Sequence, residues 1–519
     1  MSGLDEKSIL TEDVKVLHGM GYAQELSRRM RAFSNFAISF SIICILSGGI
    51  NSLGQATAGA GGAAIGIGWP VGVLISGVFA IALAQISSAY PTAGGLYHWG
   101  SILGNRFTGW LSAWLNLLGL ITVLGAINVG TFYFFFGAFG PQFGIEDTLT
   151  HRVLFVAAIT ALQALVNHMG IGLTTKLTDL SGYLIFLVAV ALAVTCLVFA
   201  ESWDFSRLFT FANYSGTEGA SAVWPVVMPA LLTFIAGLLL PIYTITGYDA
   251  SAHTAEETVN AATSVPQGMV SSVLWSGVFG YLFLCAFVLM IPNMDDAAKQ
   301  GWNVFFWAMG ERVPETIRTP LYILIFVAQW LCGLATVTSV SRMLFAFSRD
   351  DGVPGISKAL AKVSRAHRAP ANAIWAGSLL AVLFVWFTSA ITIAGTPAYS
   401  IVVSCTVIFL FLSFTVPIAL ALFTYGTEKF PKPGPWDLGG ALFRLVCVLS
   451  LVSMAVIFYA GIQPPNDWAL PITVGFIVLS LVVWVLFENR RFKGPPIGAE
   501  IARRQAEIKA TEAAVGGAV

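Results

Sequence analysis

Ser47-Gly48-Gly49-Ile50-Asn51 interrupts an apolar run that begins Phe36-Ala37-Ile38-Ser39-Phe40-Ser41-Ile42-Ile43-Cys44-Ile45-Leu46. A second apolar run is broken in the same way, with Pro241 followed by Tyr243, Thr244, Thr246, Gly247, Tyr248 and Asp249. Small, polar and imino residues are poor places to continue a helix. In hydrocarbon an unpaired backbone N–H or C=O costs several kcal/mol, so an unwound stretch persists only where it is buried in protein or lines a polar cavity. A matched pair of interrupted helices, one per half, points to the binding site of a transporter. Half-helix ends offer N–H groups to a carboxylate and carbonyls to an ammonium or cation. The plainer alternative is that Gly48 and Gly49 only allow close helix packing and Pro241 only kinks its helix. The coincidence of the two breaks in helices five apart, with a carboxylate beside one, favours function.

Composition makes hydrocarbon the expected solvent. The chain has 519 residues, 56% hydrophobic and 10% charged, with a mean hydropathy of +0.79. No water-soluble domain of this size needs to bury so much apolar surface. A bilayer crossing takes about 20 mostly apolar residues. Such stretches are expected near Phe33 to Thr57, Pro70 to Tyr90, Trp99 to Gly130, Leu154 to Met169, Leu180 to Ala200 and Val226 to His253. They continue near Met269 to Ile291, Leu321 to Phe347, Ala373 to Ile393, Ser400 to Tyr425, Ala441 to Ala460 and Ala469 to Phe487. These are helices one to twelve. With a cytoplasmic N-terminus, only Arg152, Arg207, Lys299, Arg312 and Arg318 of the 27 basic residues fall outside. The positive-inside rule therefore places both termini in the cytoplasm, in a multi-pass protein of the plasma membrane.

The expected organisation is a cytoplasmic N-terminal tail at 1–32, a transporter core of helices one to ten at 33–427, appended helices eleven and twelve at 428–488, and a cytoplasmic C-terminal tail at 489–519. The first thirty residues lack the apolar core of a signal peptide. The stretch from Gly498 is charged and Ala-rich and reads as a disordered tail rather than an amphipathic surface helix. A net charge of zero gives no basic field for nucleic acid. The cysteines lie singly in apolar spans without metal-ligand spacing, so neither disulfides nor a metal site is expected. No cofactor is expected, and with no HExxH, GxSxG, paired intramembrane aspartates or Cys/His cluster there is no catalytic residue to name.

Asp249 is the sharpest single candidate, because a carboxylate deep in a membrane helix is expensive. It is read as pairing with a substrate amine, as titrating in proton coupling, or as holding the break in shape. His253 lies at i+4 and reaches Asp249 if the helix has resumed; its expected role is structural. Glu256 and Glu257 are expected to be solvated or paired with basic loop residues.

Further stretches complete a recognisable set: Gly21-Tyr22-Ala23-Gln24-Glu25-Leu26; Ser87-Ser88-Ala89-Tyr90-Pro91-Thr92-Ala93-Gly94-Gly95-Leu96-Tyr97; Gly247-Tyr248-Asp249-Ala250-Ser251-Ala252-His253; Val265-Pro266-Gln267-Gly268; and Ser341-Arg342 with Phe345 to Pro354. With these, the chain resembles amino acid permeases of the amino acid-polyamine-organocation superfamily, most closely the amino acid/choline branch that includes GABA permeases. The resemblance implies an all-α integral membrane protein of about twelve helices, with a five-plus-five inverted repeat and broken helices one and six. It implies a substrate site in which Ser47, Gly48, Gly49 and Ile50 face a carboxylate and Thr246, Gly247, Tyr248 and Asp249 line the amine side. Several relatives place a lysine in helix five where a sodium ion would sit; here that position looks like Tyr183. Coupling to protons or to sodium stays open, with Thr338 and Ser339 as a possible cation site. The loop from Tyr90 to Tyr97 is expected to gate or pack, with Tyr97 and Trp99 at the membrane interface.

The expected function is secondary active transport of an amino acid or related amine such as GABA, by alternating access. The alternatives are a choline or polyamine transporter, and a nutrient sensor that keeps the fold without turnover. The partners expected are the small-molecule substrate and the lipid bilayer; the sequence says nothing of oligomeric state.

Overall fold

In lipid a spanning segment must satisfy its own backbone, and apolar stretches do so by becoming helices. The computed structural model describes residues 3–144, 146–393, 396–496 and 498–516. Among these residues eleven helices are long and apolar enough to cross a bilayer, and a shorter apolar helix, Ala230–Thr244, completes the expected twelve. Helix six is short because its last turn, Ala250–His253, is set apart by the break after Thr244.

The two halves correspond element by element. Helix one runs Ala32–Ile43 and resumes at Gly48–Asn51; helix six runs Ala230–Gly237 and Leu239–Thr244 and resumes at Ala250–His253. Helices two and seven are Gly68–Ala89 and Ala261–Met290. The longest pair, helices three and eight, are Arg106–Phe143 and Glu315–Arg349. Helices four and nine, Leu149–His168 and Ala371–Ala390, both have 20 residues. Helices five and ten are Ile171–Phe199 and Ala398–Thr424. Helix eleven, Gly440–Gly461, packs on helices ten and two, and helix twelve, Ala469–Val483, packs on helix ten. This is the expected five-plus-five repeat with two appended helices.

Helix three crosses helix eight at the centre, and side-chain hydrogen bonds tie them to helix four. Asn128 Nδ2 donates to Thr160 Oγ1 at 2.8 Å and Gln163 Oε1 at 2.9 Å, and Gln163 Nε2 donates to the Trp330 carbonyl at 3.0 Å. Lipid offers no hydrophobic drive for helix association, so such bonds, each about 0.6 kcal/mol, and close packing hold the bundle together. Large apolar side chains on helices five, nine, eleven and twelve, among them Leu187, Leu379, Val452 and Leu479, face outward.

Several boundaries and facings differ from expectation. Helix three does not begin at Trp99, because Leu96–Leu103 is a separate helix and Asn105 starts a new one by accepting from Phe107 N at 2.9 Å and Thr108 N at 3.2 Å. Tyr97 and Trp99 are fully buried instead of interfacial; Trp99 Nε1 donates to the Tyr90 carbonyl at 2.9 Å. Helix nine ends at Ala390, after which the β-branched Thr392–Ile393 pairs with Thr396–Pro397 as a two-residue ladder. The C-terminal stretch is ordered as helices Ala499–Arg503 and Gln505–Val515, and not a disordered tail, because Ile508 and Glu512 are buried against the N-terminal segment. Tyr183, which the resemblance set at the position of a lysine, is 62% exposed and stacks on Phe33 at 4.8 Å, so its side chain faces outward and not into the bundle. Ser181 is the buried hydroxyl of that turn.

Candidate functional site

The two breaks meet at the middle of the bundle. Helix one leaves helical geometry at Cys44, whose φ is +27°, and Ser47 N and Gly48 N both return to the Cys44 carbonyl, at 2.7 and 3.1 Å. Helix six unwinds after Thr244 and turns at Gly247, whose φ of +88° suits a residue without a side chain. Helix eight satisfies the carbonyls that the first break exposes: Gln329 Nε2 donates to the Leu46 carbonyl at 3.0 Å and Cys332 Sγ to the Ile42 carbonyl at 3.3 Å. Below the break, Ser39 Oγ bonds the Tyr248 carbonyl and Ser251 Oγ, at 2.8 and 2.7 Å, binding helix one to helix six.

Among the described residues no acceptor is found for the backbone N–H groups of Ile45 and Leu46 in the first break, or of Thr246 and Gly247 in the second. Of these four residues only Thr246 lines the cavity of 20 Å³ between the breaks, whose walls also include Ser47 and Gly48, Thr244, Val123 and Ile127 of helix three, and Cys332 of helix eight. That volume holds about one water. The two breaks approach closely beside it: a Cβ on Gly48 would lie 2.8 Å from Thr244 Cα, and one on Gly247 would lie 2.3 Å from Ile42 Cγ2.

Of the residues singled out in the sequence, Ser47, Gly48 and Thr246 line this cavity; Gly49, Ile50, Gly247, Tyr248 and Asp249 are buried beside it without lining it. Asp249 belongs to a second polar cluster. Its Oδ2 accepts from Asn116 Nδ2 of helix three and meets His253 Nε2, both at 3.2 Å, and Asn116 Nδ2 also reaches Ser413 Oγ of helix ten at 3.3 Å. Asn116 precedes the cavity residue Val123 by seven positions, about 10 Å along a helix. Asp249 Oδ1, Asn116 Oδ1 and the Tyr248 hydroxyl are buried with no hydrogen-bond partner among the described residues. His253 Nδ1 lies 3.2 Å from the Ala93 carbonyl. A carbonyl only accepts, so this contact assigns the Nδ1 proton and leaves Nε2 toward Asp249.

Thr338 Oγ1 donates to Asn167 Oδ1 at 2.8 Å, whereas Ser339 Oγ is buried without a partner among the described residues. Arg342 Nε and Nη2 fork onto Glu257 at 2.9 and 3.0 Å, both side chains fully buried. Glu256 receives the guanidinium of Arg349 through two bonds, at 2.8 and 3.0 Å, and the Ala93 N–H at 3.1 Å. Neither glutamate is solvated and neither partner is a loop residue, because helix eight runs on to Arg349. Burial works against the charge on Glu256, but Arg349 and the Ala93 N–H outweigh it and hold the carboxyl below its usual range.

Three of the stretches singled out in the sequence, 21–26, 87–97 and 345–354, converge here. The Tyr22 hydroxyl donates to Asp350 Oδ2 at 2.6 Å and meets His98 Nε2 at 2.6 Å; His98 Nδ1 meets Thr92 Oγ1 at 2.6 Å; and the Tyr97 hydroxyl reaches Asp350 Oδ2 at 3.0 Å. Arg349 lies over the Tyr22 ring at 3.9 Å. Burial, followed by the negative Asp350, pushes the Tyr22 and Tyr97 hydroxyls well above their ordinary range, so both remain donors. Asn116, Gln329, Cys332 and Arg342 were not singled out for these contacts in the sequence; polar residues inside apolar helices were the available signal, but their facing was not.

The sequence model of a family described as amino acid permease matches residues 31–487. The chain belongs to the amino acid permease family. The permease is 29% identical to amino-acid permease BAT1 of Arabidopsis thaliana, over 92% of its own length and 95% of that protein. It is 30% identical to the BAT1 homolog of Oryza sativa subsp. japonica, over 92% and 94%. It is 25% identical to amino-acid permease 2 of Neurospora crassa, over 93% and 88%. Among solved structures it resembles MhsT in complex with L-phenylalanine, with a TM-score of 0.58 at 13% identity, covering 84% of this chain and 99% of that one. That likeness shows the fold. The permease is a multi-pass membrane transporter, and its named relatives are permeases rather than enzymes.

Proposed function

We propose that this permease moves an amino acid or related amine such as GABA across the plasma membrane by alternating access, with both termini in the cytoplasm. The observation that carries the reading is the small cavity between the two breaks, lined by Ser47 and Gly48 of the first and Thr244 and Thr246 of the second. In this reading Ser47, Gly48, Gly49 and Ile50 form the carboxylate side, Ser47 and Gly48 at the cavity wall and Gly49 and Ile50 behind them. Thr246, Gly247, Tyr248 and Asp249 form the amine side, Asp249 acting from beneath the cavity. Room for about one water means that binding requires the bundle to open. The relatives named as amino-acid permeases, and the bound L-phenylalanine of the structural neighbour, support an amino acid as cargo.

Protons are the favoured coupling ion. With the His253 Nδ1 proton assigned by the Ala93 carbonyl, the Nε2 contact to Asp249 holds together only if one further proton lies on the pair. A second reading, sodium at Thr338 and Ser339, draws on the unpartnered Ser339 hydroxyl; the Thr338 hydroxyl is already taken by Asn167.

The test is uptake of labelled amino acids, GABA, choline and polyamines into proteoliposomes, under proton and sodium gradients imposed separately. Saturable uptake of an amino acid or GABA that follows the proton gradient is the expected result. Uptake that follows sodium alone moves coupling to the second reading. No uptake of any compound by folded, inserted protein removes the transport reading and favours a sensor.

A further inference from the structure

The segment that follows helix twelve does not leave the bundle. Phe492 is fully buried, its ring 5.7 Å from Phe347 and 6.2 Å from Tyr97. Arg491 donates to the carbonyls of Asp351 and Gly352, just past the end of helix eight. Pro496 lies against Gly21, where a Cβ would come within 2.6 Å of it. Arg504 approaches Asp350 at 3.7 Å. Glu512 Oε1 then accepts from Gln24 N at 2.9 Å and meets His18 Nε2 at 2.6 Å. The segment thus holds the end of helix eight at one point and the chain leading into helix one at another.

These are the two sides of the seam closed by Tyr22, Asp350 and His98. A cavity of 190 Å³ remains between the strap's Pro495, Pro496 and Ile501 and the buried Tyr22 and His98, so the strap bridges the seam without filling it. We infer that residues 489–496 and 498–515 form a latch, whose release lets this end of the permease open. The inference rests on the alternating-access reading above. A bridge that favours the closed seam shifts the population toward it by its differential contacts, and typical couplings of this kind change an equilibrium about 5–150-fold.

Cys332 lines the cavity between the breaks and is fully buried, so its alkylation reports opening. Alkylation from the side carrying the termini is followed by mass spectrometry in oriented vesicles, for the wild type and for Arg504→Ala combined with Glu512→Ala, both outside the substrate site. The latch predicts labelling of Cys332 faster by about fivefold or more, with an unchanged melting temperature. Labelling at the wild-type rate in a folded variant overturns it. If that variant fails to fold, the pair His18→Cys and Glu512→Cys is oxidised to fix the strap to the N-terminal segment. Slower labelling of Cys332, restored by a reductant, supports the latch; equal rates in both redox states overturn it. Labelling needs no transported substrate, so an absence of uptake in the wild type counts against the function proposed above and leaves this result standing.

Discussion

His253 Nε2 lies 3.2 Å from Asp249 Oδ2, while the opposite ring nitrogen faces the Ala93 carbonyl at 3.2 Å. The contact links Asp249, at the break of helix six, to the loop between Tyr90 and Tyr97.

Substituting His253→Gln keeps a hydrogen-bonding group of similar reach and removes the site for the proton. Uptake driven by a proton gradient falls while substrate binding is kept. The same loss in Asp249→Asn and in the double variant shows the two acting as one unit. Gradient-driven uptake measured beside substrate binding in detergent separates this effect from a lost site. Full gradient-driven uptake in His253→Gln would remove the ring from the mechanism.

Gly48→Ala puts a methyl group 2.8 Å from the Thr244 main chain. Overpacking of this kind costs about 1–3 kcal/mol. Uptake falls by about tenfold or more while the protein still reaches the membrane, as checked by uptake normalised to surface-labelled protein.

Arg342→Met leaves Glu257 buried without its partner. Breaking such a pair costs about 3–5 kcal/mol, read as a lower melting temperature in detergent. Arg342→Met combined with Glu257→Leu recovers much of the loss, because both charges are then gone.

Glu256 has its carboxyl held below the ordinary range. Its contribution to stability is full above the unfolded value and is lost as pH falls through the folded one. Melting temperature from about pH 7 to about pH 3 falls more steeply in the wild type than in Glu256→Gln, which lacks this titration and is less stable at neutral pH. Parallel curves would show that another acid controls the loss.

The twelve spans and both breaks were legible in the sequence because length, apolarity and punctuation by Gly, Pro and polar residues are one-dimensional signals. Facing was not. Tyr183 and Ser181 are two positions apart on helix five, yet one meets lipid and the other the interior, and neighbouring residues in an apolar helix give no contrast that orients it. The buried Glu256 and Glu257 were misjudged for a related reason: their partners, Arg349 and Arg342, lie more than eighty residues away on a helix whose end reaches under helix six. Asp249 was correctly marked as costly to bury, but its separation from the cavity depends on Asn116 and on the crossing of helix three, which no local pattern encodes.

The approach of Gly48 to Thr244 also bears on leakage. Where side chains form a barrier, rotamer flips on the picosecond to nanosecond scale open brief gaps. Here the facing surfaces are main chain and a single short side chain, and the gap widens only if the backbone of a broken helix shifts, a far slower collective motion. Water and ions attempting to pass at this contact would have to wait for that slower motion.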